Sequence, residues 1–213
     1  MPNLFKNSSA GEILFFCLLL SICVCPYGYA QTTLKIGVYD NKPIIFVDDA
    51  GEVQGLFVDL LEEIAIKENW HLEYVVGHFS EVFGQLKGGE IDILPALAYS
   101  KQREEIIDYT RETILSNWAE IYVPGNGKLT SLLELEGKKV GVMQGDIHFT
   151  ALKELTDRFN ISCRFIEADE YEIVFEMLQA NFVDVGVVNR LYGNRNKHEY
   201  SVKQTPVNSR TIY

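Results

Sequence analysis

Apolar and polar positions along this chain switch between two periods. Short β-rich runs alternate with stretches in which apolar residues recur every three or four positions, the pattern of repeated α/β units. Leu34–Tyr39 (LKIGVY) predicts a strand, and Asp48-Asp49-Ala50-Gly51 a turn. Phe57, Leu60, Leu61, Ile64 and Ala65 share one helical face, so a helix is expected to about Asn69. Leu72–Val76 reads as a strand, and Ser80 as the cap of a short helix bearing Val82, Phe83 and Leu86, stopped by Gly88-Gly89. Ile91–Leu97 (IDILPAL) reads as a buried strand, and Ser100 opens the next helix.

Trp118–Val123 (WAEIYV) predicts a strand that runs into Pro124-Gly125-Asn126-Gly127, the most linker-like composition in the chain. A second α/β set follows. Ser131-Leu132-Leu133-Glu134 fits a capping box, Lys139–Met143 a strand, and Gly145-Asp146 the start of a helix to about Phe159. Asp169 is expected to cap a helix carrying Val174, Met177 and Leu178, ahead of a buried strand at Phe182–Val188. Val202–Tyr213, with Pro206 inside it, reads as extended, and no internal repeat is evident. Two α/β sets joined at 124–127 imply a cleft at the strand ends and a hinge about which it closes.

The N-terminus sets the compartment. Lys6 precedes the apolar run Ile13–Cys25 (ILFFCLLLSICVC), which is short for a bilayer span and suits the apolar region of a signal peptide. Pro26 ends the run, and Gly28-Tyr29-Ala30 places cleavage before Gln31, with an uncleaved N-terminal anchor as the alternative. Either reading makes residues 1–30 a targeting segment and the remainder periplasmic or otherwise extracytoplasmic. Cys17, Cys23 and Cys25 fall within it, leaving Cys163 with no partner for an internal disulfide. No His/Cys spacing suggests a metal, and His71, His78, His148 and His198 are scattered, so neither metal nor cofactor is expected and the histidines read as surface residues. A net charge of −11 argues against nucleic acid as a partner, since phosphate binding wants a basic face. No paired carboxylates or nucleophile–base arrangement stand out, and no enzymatic activity is expected.

Three stretches in order resemble the family 3 periplasmic solute-binding proteins, which include the polar amino acid receptors of ABC transporters. They are Gly51…Gly55-Leu56-Phe57-Val58-Asp59-Leu60; Gly89-Glu90-Ile91-Asp92-Ile93…Ser100-Lys101-Gln102-Arg103…Ile107-Asp108-Tyr109-Thr110; and Leu135-Glu136-Gly137-Lys138-Lys139-Val140-Gly141-Val142-Met143-Gln144-Gly145. The resemblance implies an α/β, two-lobed, type 2 periplasmic-binding fold with a hinge. It implies lobe one at 31–123, lobe two at 124–204, and a crossover back to lobe one at 205–213, with the last elements of lobe one missing. Leu115-Ser116-Asn117-Trp118 and Gly145-Asp146-Ile147-His148 resemble stretches of the extracellular domains of sensor histidine kinases and diguanylate cyclases. The function implied is closure on a small polar, carboxylate-bearing, amino acid-like ligand as the sensory input of a membrane-attached signalling module. The alternative is a soluble receptor that serves an ABC permease.

Ser100 and Arg103 lie three apart and share a helical face near an N-terminus, where free N–H groups and a guanidinium suit a carboxylate. The resemblance implies that ligand-binding role for both; the plainer reading is that Ser100 only caps the helix while Arg103 pairs with Glu104 or another acid. Gly145 and Asp146 stand where many family members have glycine followed by a hydroxyl residue, and Asn189 where they have an acid for the ligand's ammonium. Asp146 is also a good N-cap. Facing the cleft, it would repel a carboxylate held by Arg103, by on the order of 4 kcal/mol at about 4 Å. These departures argue against a standard L-amino acid and favour a ligand with an anion for Arg103 and a donor or cation for Asp146. Tyr39, Asp40, Phe46 and Trp118 are the remaining expected contacts, three of them as aromatic walls. Asp92 and Asp184 read as structural.

Overall fold

Apolar residues at strand and helix spacing fold as two α/β halves. The computed structural model describes residues 31–209, so the Ile13–Cys25 run and the expected cleavage before Gln31 lie outside the described residues. In the first half, β1 (Thr32–Val38) leads through the short antiparallel pair β2 (Phe46–Val47) and β3 (Val53–Gln54) into α1 (Leu56–Glu68). Val58, Leu61 and Ala65 are the buried face of α1, which ends at Asn69 in the left-handed conformation (φ 55°), its N–H donating to Ala65 O. β4 (Trp70–Val76) then lies parallel to β1, with Ile36 opposite Tyr74. α2 (Phe79–Gly88) starts two residues before the predicted Ser80 region because Glu81 Oε2 accepts the His78 N–H at 3.0 Å.

Ile91–Leu97 does not form the expected strand. Ile93 makes one bridge to Ile36, after which the chain turns at Pro95, which has no N–H to give, and Ala96, which is left-handed (φ 59°). Ser100 caps α3 (Lys101–Glu104), a single turn.

The second half is a five-stranded sheet. β5 (Ala119–Pro124) precedes β6 (Lys139–Met143), α4 (Ile147–Arg158), β7 (Arg164–Ala168), α5 (Tyr171–Gln179), β8 (Val185–Asn189), α6 (Arg190–Asn196) and β9 (Val202–Ser209). The order across the sheet is β7-β6-β8-β5-β9; β6 is parallel to β7 and β8, and β5 is antiparallel to β8 and β9. α5 starts at Tyr171 after Glu170, one residue beyond the expected Asp169 cap.

Residues 119–123 were expected in the first lobe and 205–209 in a crossover back to it; both belong to the five-stranded sheet. The 124–127 stretch is a turn of that second half, with Gly125 N–H donating to Ser201 O at 2.8 Å and Gly127 N–H to Pro124 O at 2.7 Å. The physical reason is burial: Ala119, Ile121 and Val123 face the same apolar cluster as Val140, Val142, Val185 and Val187. The alternate residue Tyr122 joins the other cluster, which runs from Val38, Phe79 and Val82 to Met143, Tyr171, Val174 and Phe175.

Although the sequence shows no evident repeat, the two halves repeat one design. Asp92 Oδ2 accepts the Lys35 N–H at 2.8 Å while Asp92 N–H donates to Lys35 O at 2.9 Å, and Asp184 makes the same pair with Lys139 at 2.8 and 2.9 Å. Both aspartates are thus structural, as expected: Asp92 clasps β1 to the segment that makes the Ile93 bridge, and Asp184 clasps the start of β6 to the start of β8. Phe79 and Tyr171 open equivalent helices, preceded by His78 and Glu170.

Gly186 shows how closely α5 lies on the second sheet. A Cβ there would meet Leu178 Cδ1 at 2.6 Å and Val174 Cγ1 at 2.9 Å. Gly186→Ala is therefore expected to cost roughly 1–3 kcal/mol by overpacking. Urea unfolding checks this through a lower midpoint at unchanged slope.

Candidate functional site

Arg103 is the charged residue around which the polar groups gather. It is 8% exposed, its guanidinium lies over the rings of Phe83 (5.1 Å) and Phe79 (5.7 Å), and the aromatic faces offset part of its desolvation. Its Nη1 donates to Ala98 O at 2.8 Å, and its Nη2 donates to Gly145 O in the other half at 3.0 Å. Glu104, the plainer partner, accepts instead from Tyr99 OH at 2.6 Å. The Ser100 hydroxyl accepts the Arg103 N–H at 3.2 Å and so acts as a cap. The expected contribution of a helix dipole is small, because a four-residue turn sums few peptide dipoles. The positive charge at this point is that of Arg103 itself.

Opposite stands the start of α4. Gly145 takes a left-handed conformation (φ 72°) that suits glycine, and the turn presents its carbonyl to Arg103. Asp146 is buried. Its Oδ1 accepts the His148 N–H at 3.2 Å, capping α4, and its Oδ2 accepts Tyr171 OH at 2.8 Å. His148 is 5% exposed and so lies inside, not at the surface as expected. Asn189, 2% exposed, caps α6 through Oδ1, which accepts the Tyr192 N–H at 2.9 Å, while its Nδ2 donates to Asn41 Oδ1 at 2.8 Å. Asn41 Nδ2 donates to Tyr39 OH at 3.3 Å, and Tyr39 OH donates to Ala96 O at 3.2 Å. His78 Nδ1 and Glu170 Oε1, at the starts of the two equivalent helices, meet at 2.9 Å.

The structure therefore brings Arg103, Ser100, Gly145, Asp146, Asn189 and Tyr39 to one joint between the halves. Asp40 is half-buried beside it; its Oδ1 accepts the Lys42 N–H at 3.4 Å, and burial raises its carboxyl above the usual range against the opposing charge of Lys42. Phe46 lies under Lys42 Nζ (5.4 Å to the ring centre), and Trp118 under the Arg190 guanidinium (4.0 Å). Sequence reasoning missed Asn41, Tyr171, His78 and Glu170. Three of these sit at the starts of α2 and α5, positions that matching the two halves to each other would have picked out.

Residues 34–130 match the model of the bacterial extracellular solute-binding proteins, family 3. Over that stretch the chain is similar to this family. Its fold is the two-lobed type 2 periplasmic-binding fold. Over 125 residues it is 32% identical to a Campylobacter jejuni protein described as a probable histidine-binding protein, covering 58% of this chain and 48% of that one. The chain thus spans about half the length of the curated relatives it matches. An ancestral arginine-binding protein bound to arginine superposes with a TM-score of 0.72 at 25% identity, over 82% of this chain and 79% of that one. A histidine kinase sensor domain with similarity to periplasmic binding proteins shares the fold, with a TM-score of 0.70 at 24% identity, over 82% and 76% of the two chains.

Burial dominates the tyrosines of this joint. It pushes the Tyr39 phenol up to about 12, with the Asp146 charge adding to the rise and the Asn41 hydrogen bond opposing it. Burial, then the adjoining Asp146 charge, raises Tyr171 well above the ordinary value. A raised value in the fold means that the Tyr39 contribution is whole below the ordinary tyrosine value near 10 and is lost as pH climbs through about 12. The loss is roughly 3 kcal/mol. Phenolate absorbance followed beside far-ultraviolet ellipticity is expected to show a late-titrating tyrosine fraction that ionises with unfolding, not near pH 10.

Proposed function

We propose that this chain binds a small carboxylate-bearing molecule, outside the cytoplasm, in the joint between its two halves, and that binding is read out as closure. Buried Arg103, whose guanidinium donates to neutral carbonyls of both halves, is the observation that carries this reading. A guanidinium matches a carboxylate in a two-toothed, charge-assisted pair, so an anionic ligand would replace neutral acceptors with a charged one. A ligand that also touches the Gly145–Asp146 turn would favour the closed arrangement over an open one, and that preference makes closure a signal. The amino acid-binding names of the relatives support a ligand of that size.

The first reading of the output is sensory, as the input domain of a membrane-attached signalling protein; the sensor-domain likeness supports it at the level of fold. The second is a solute receptor for an ABC permease, favoured because the Campylobacter relative and the arginine-bound structure are both named as binding proteins. A coding sequence that continues into a membrane span and a kinase or GGDEF domain would decide for sensing, and neighbouring permease and ATPase genes for transport.

A thermal-shift screen with amino acids, polyamines and short organic acids tests the binding itself. A carboxylate ligand is expected to raise the melting temperature of the native chain by mass action. Arg103→Ala is expected to weaken it by roughly a hundredfold, about 3 kcal/mol. Binding that survives Arg103→Ala unchanged, or no response to any compound, would sink the proposal.

A further inference from the structure

The hydrogen bonds of the joint also bear on which carboxylate it takes, a question that rests on the proposed Arg103 site. An ammonium bound beside a carboxylate must be met by a buried acceptor, preferably a charged one, or its desolvation goes uncompensated. Each acceptor here already holds a hydrogen bond within the joint. Asp146 Oδ1 holds the His148 N–H and its Oδ2 holds the Tyr171 hydroxyl. Asn189 is uncharged, its Oδ1 holds the Tyr192 N–H, and its Nδ2 is bound to Asn41 Oδ1. Glu170 is taken by His78, and Asp40 has the Lys42 N–H and the charge of Lys42 at hand.

Freeing Asp146 or Asn189 disturbs another buried group. Tyr171 is 3% exposed, so an ammonium on Asp146 would compete with its buried hydroxyl; separating Asn189 from Asn41 would strand an amide. Donors are in better supply. Asn41 Nδ2 gives one hydrogen to Tyr39 OH at 3.3 Å, and a primary amide has a second. That second hydrogen suits an oxygen acceptor.

We infer that the joint selects short carboxylates bearing an oxo or hydroxyl group on the adjacent carbon over the corresponding α-amino acids, with the Asn41–Asn189 pair setting the preference.

Calorimetry on the native chain with matched triplets tests this: pyruvate, L-lactate and L-alanine, then 2-oxoglutarate, L-2-hydroxyglutarate and L-glutamate. Within a triplet the oxo or hydroxy member is expected to bind at least about tenfold more tightly than the amino member. Asn189→Asp keeps the α6 cap and adds the missing charge, so it is expected to reverse the order, with far-ultraviolet ellipticity confirming the fold. An amino member that binds as tightly as its partners, or an unchanged order in a folded Asn189→Asp, overturns the selection. If those amino members also lose affinity in Arg103→Ala, the Arg103 site stands and only the selection falls. Failure of every compound in both triplets, together with a flat thermal-shift screen, overturns both.

Discussion

A guanidinium taken out of water must find oxygen acceptors close by, and Arg103 finds them on two separate parts of the chain. Ala98 O belongs to its own half and Gly145 O to the other. Much of the local architecture accords with that requirement. Phe79 and Phe83 supply ring faces beneath the charge, Ser100 fixes the turn from which the side chain departs, and the left-handed Gly145 leads directly into Asp146 and α4. Asp146 is then held by Tyr171, and Asn189 by Asn41, so one buried cation stands beside a joint lined with engaged polar groups.

Periodicity carried most of the fold. β1, β4, β6 and β8 and the helices α1, α2, α4 and α5 fall where alternating and three-to-four spacing placed them, because each buries a regular face. Two features ran against the local pattern. Ile91–Leu97 is apolar enough for a strand, but a left-handed Ala96 behind Pro95 turns it away after one bridge, and hydrophobic pattern does not report backbone handedness. The 124–127 stretch has linker composition yet turns within one sheet, because which sheet a strand joins is decided by long-range pairing that local sequence does not carry.

The candidate site was legible in part for the same reason. Arg103, Ser100, Gly145, Asp146, Asn189 and Tyr39 meet, since each stands at a strand end or helix start, where α/β sheets collect their loops. What spacing could not show was who bonds to whom. Asp146 pairs with Tyr171 and Asn189 with Asn41, contacts between residues 25 and 148 positions apart. The duplicated Lys–Asp clasps make the two halves architectural equivalents, while their facing helix starts, Phe79 after His78 and Tyr171 after Glu170, differ in chemistry. The scaffold is shared and the lining is not.

The place of β5 has a mechanical consequence. It is hydrogen-bonded on both sides, to β8 and β9, whereas β1 has a single full-length neighbour and one bridge. Local opening in the second half must dismantle several ladders at once, while the first half can fray from a two-stranded ribbon. Arg103 therefore belongs to the half with fewer strand ladders and Gly145 to the half with more.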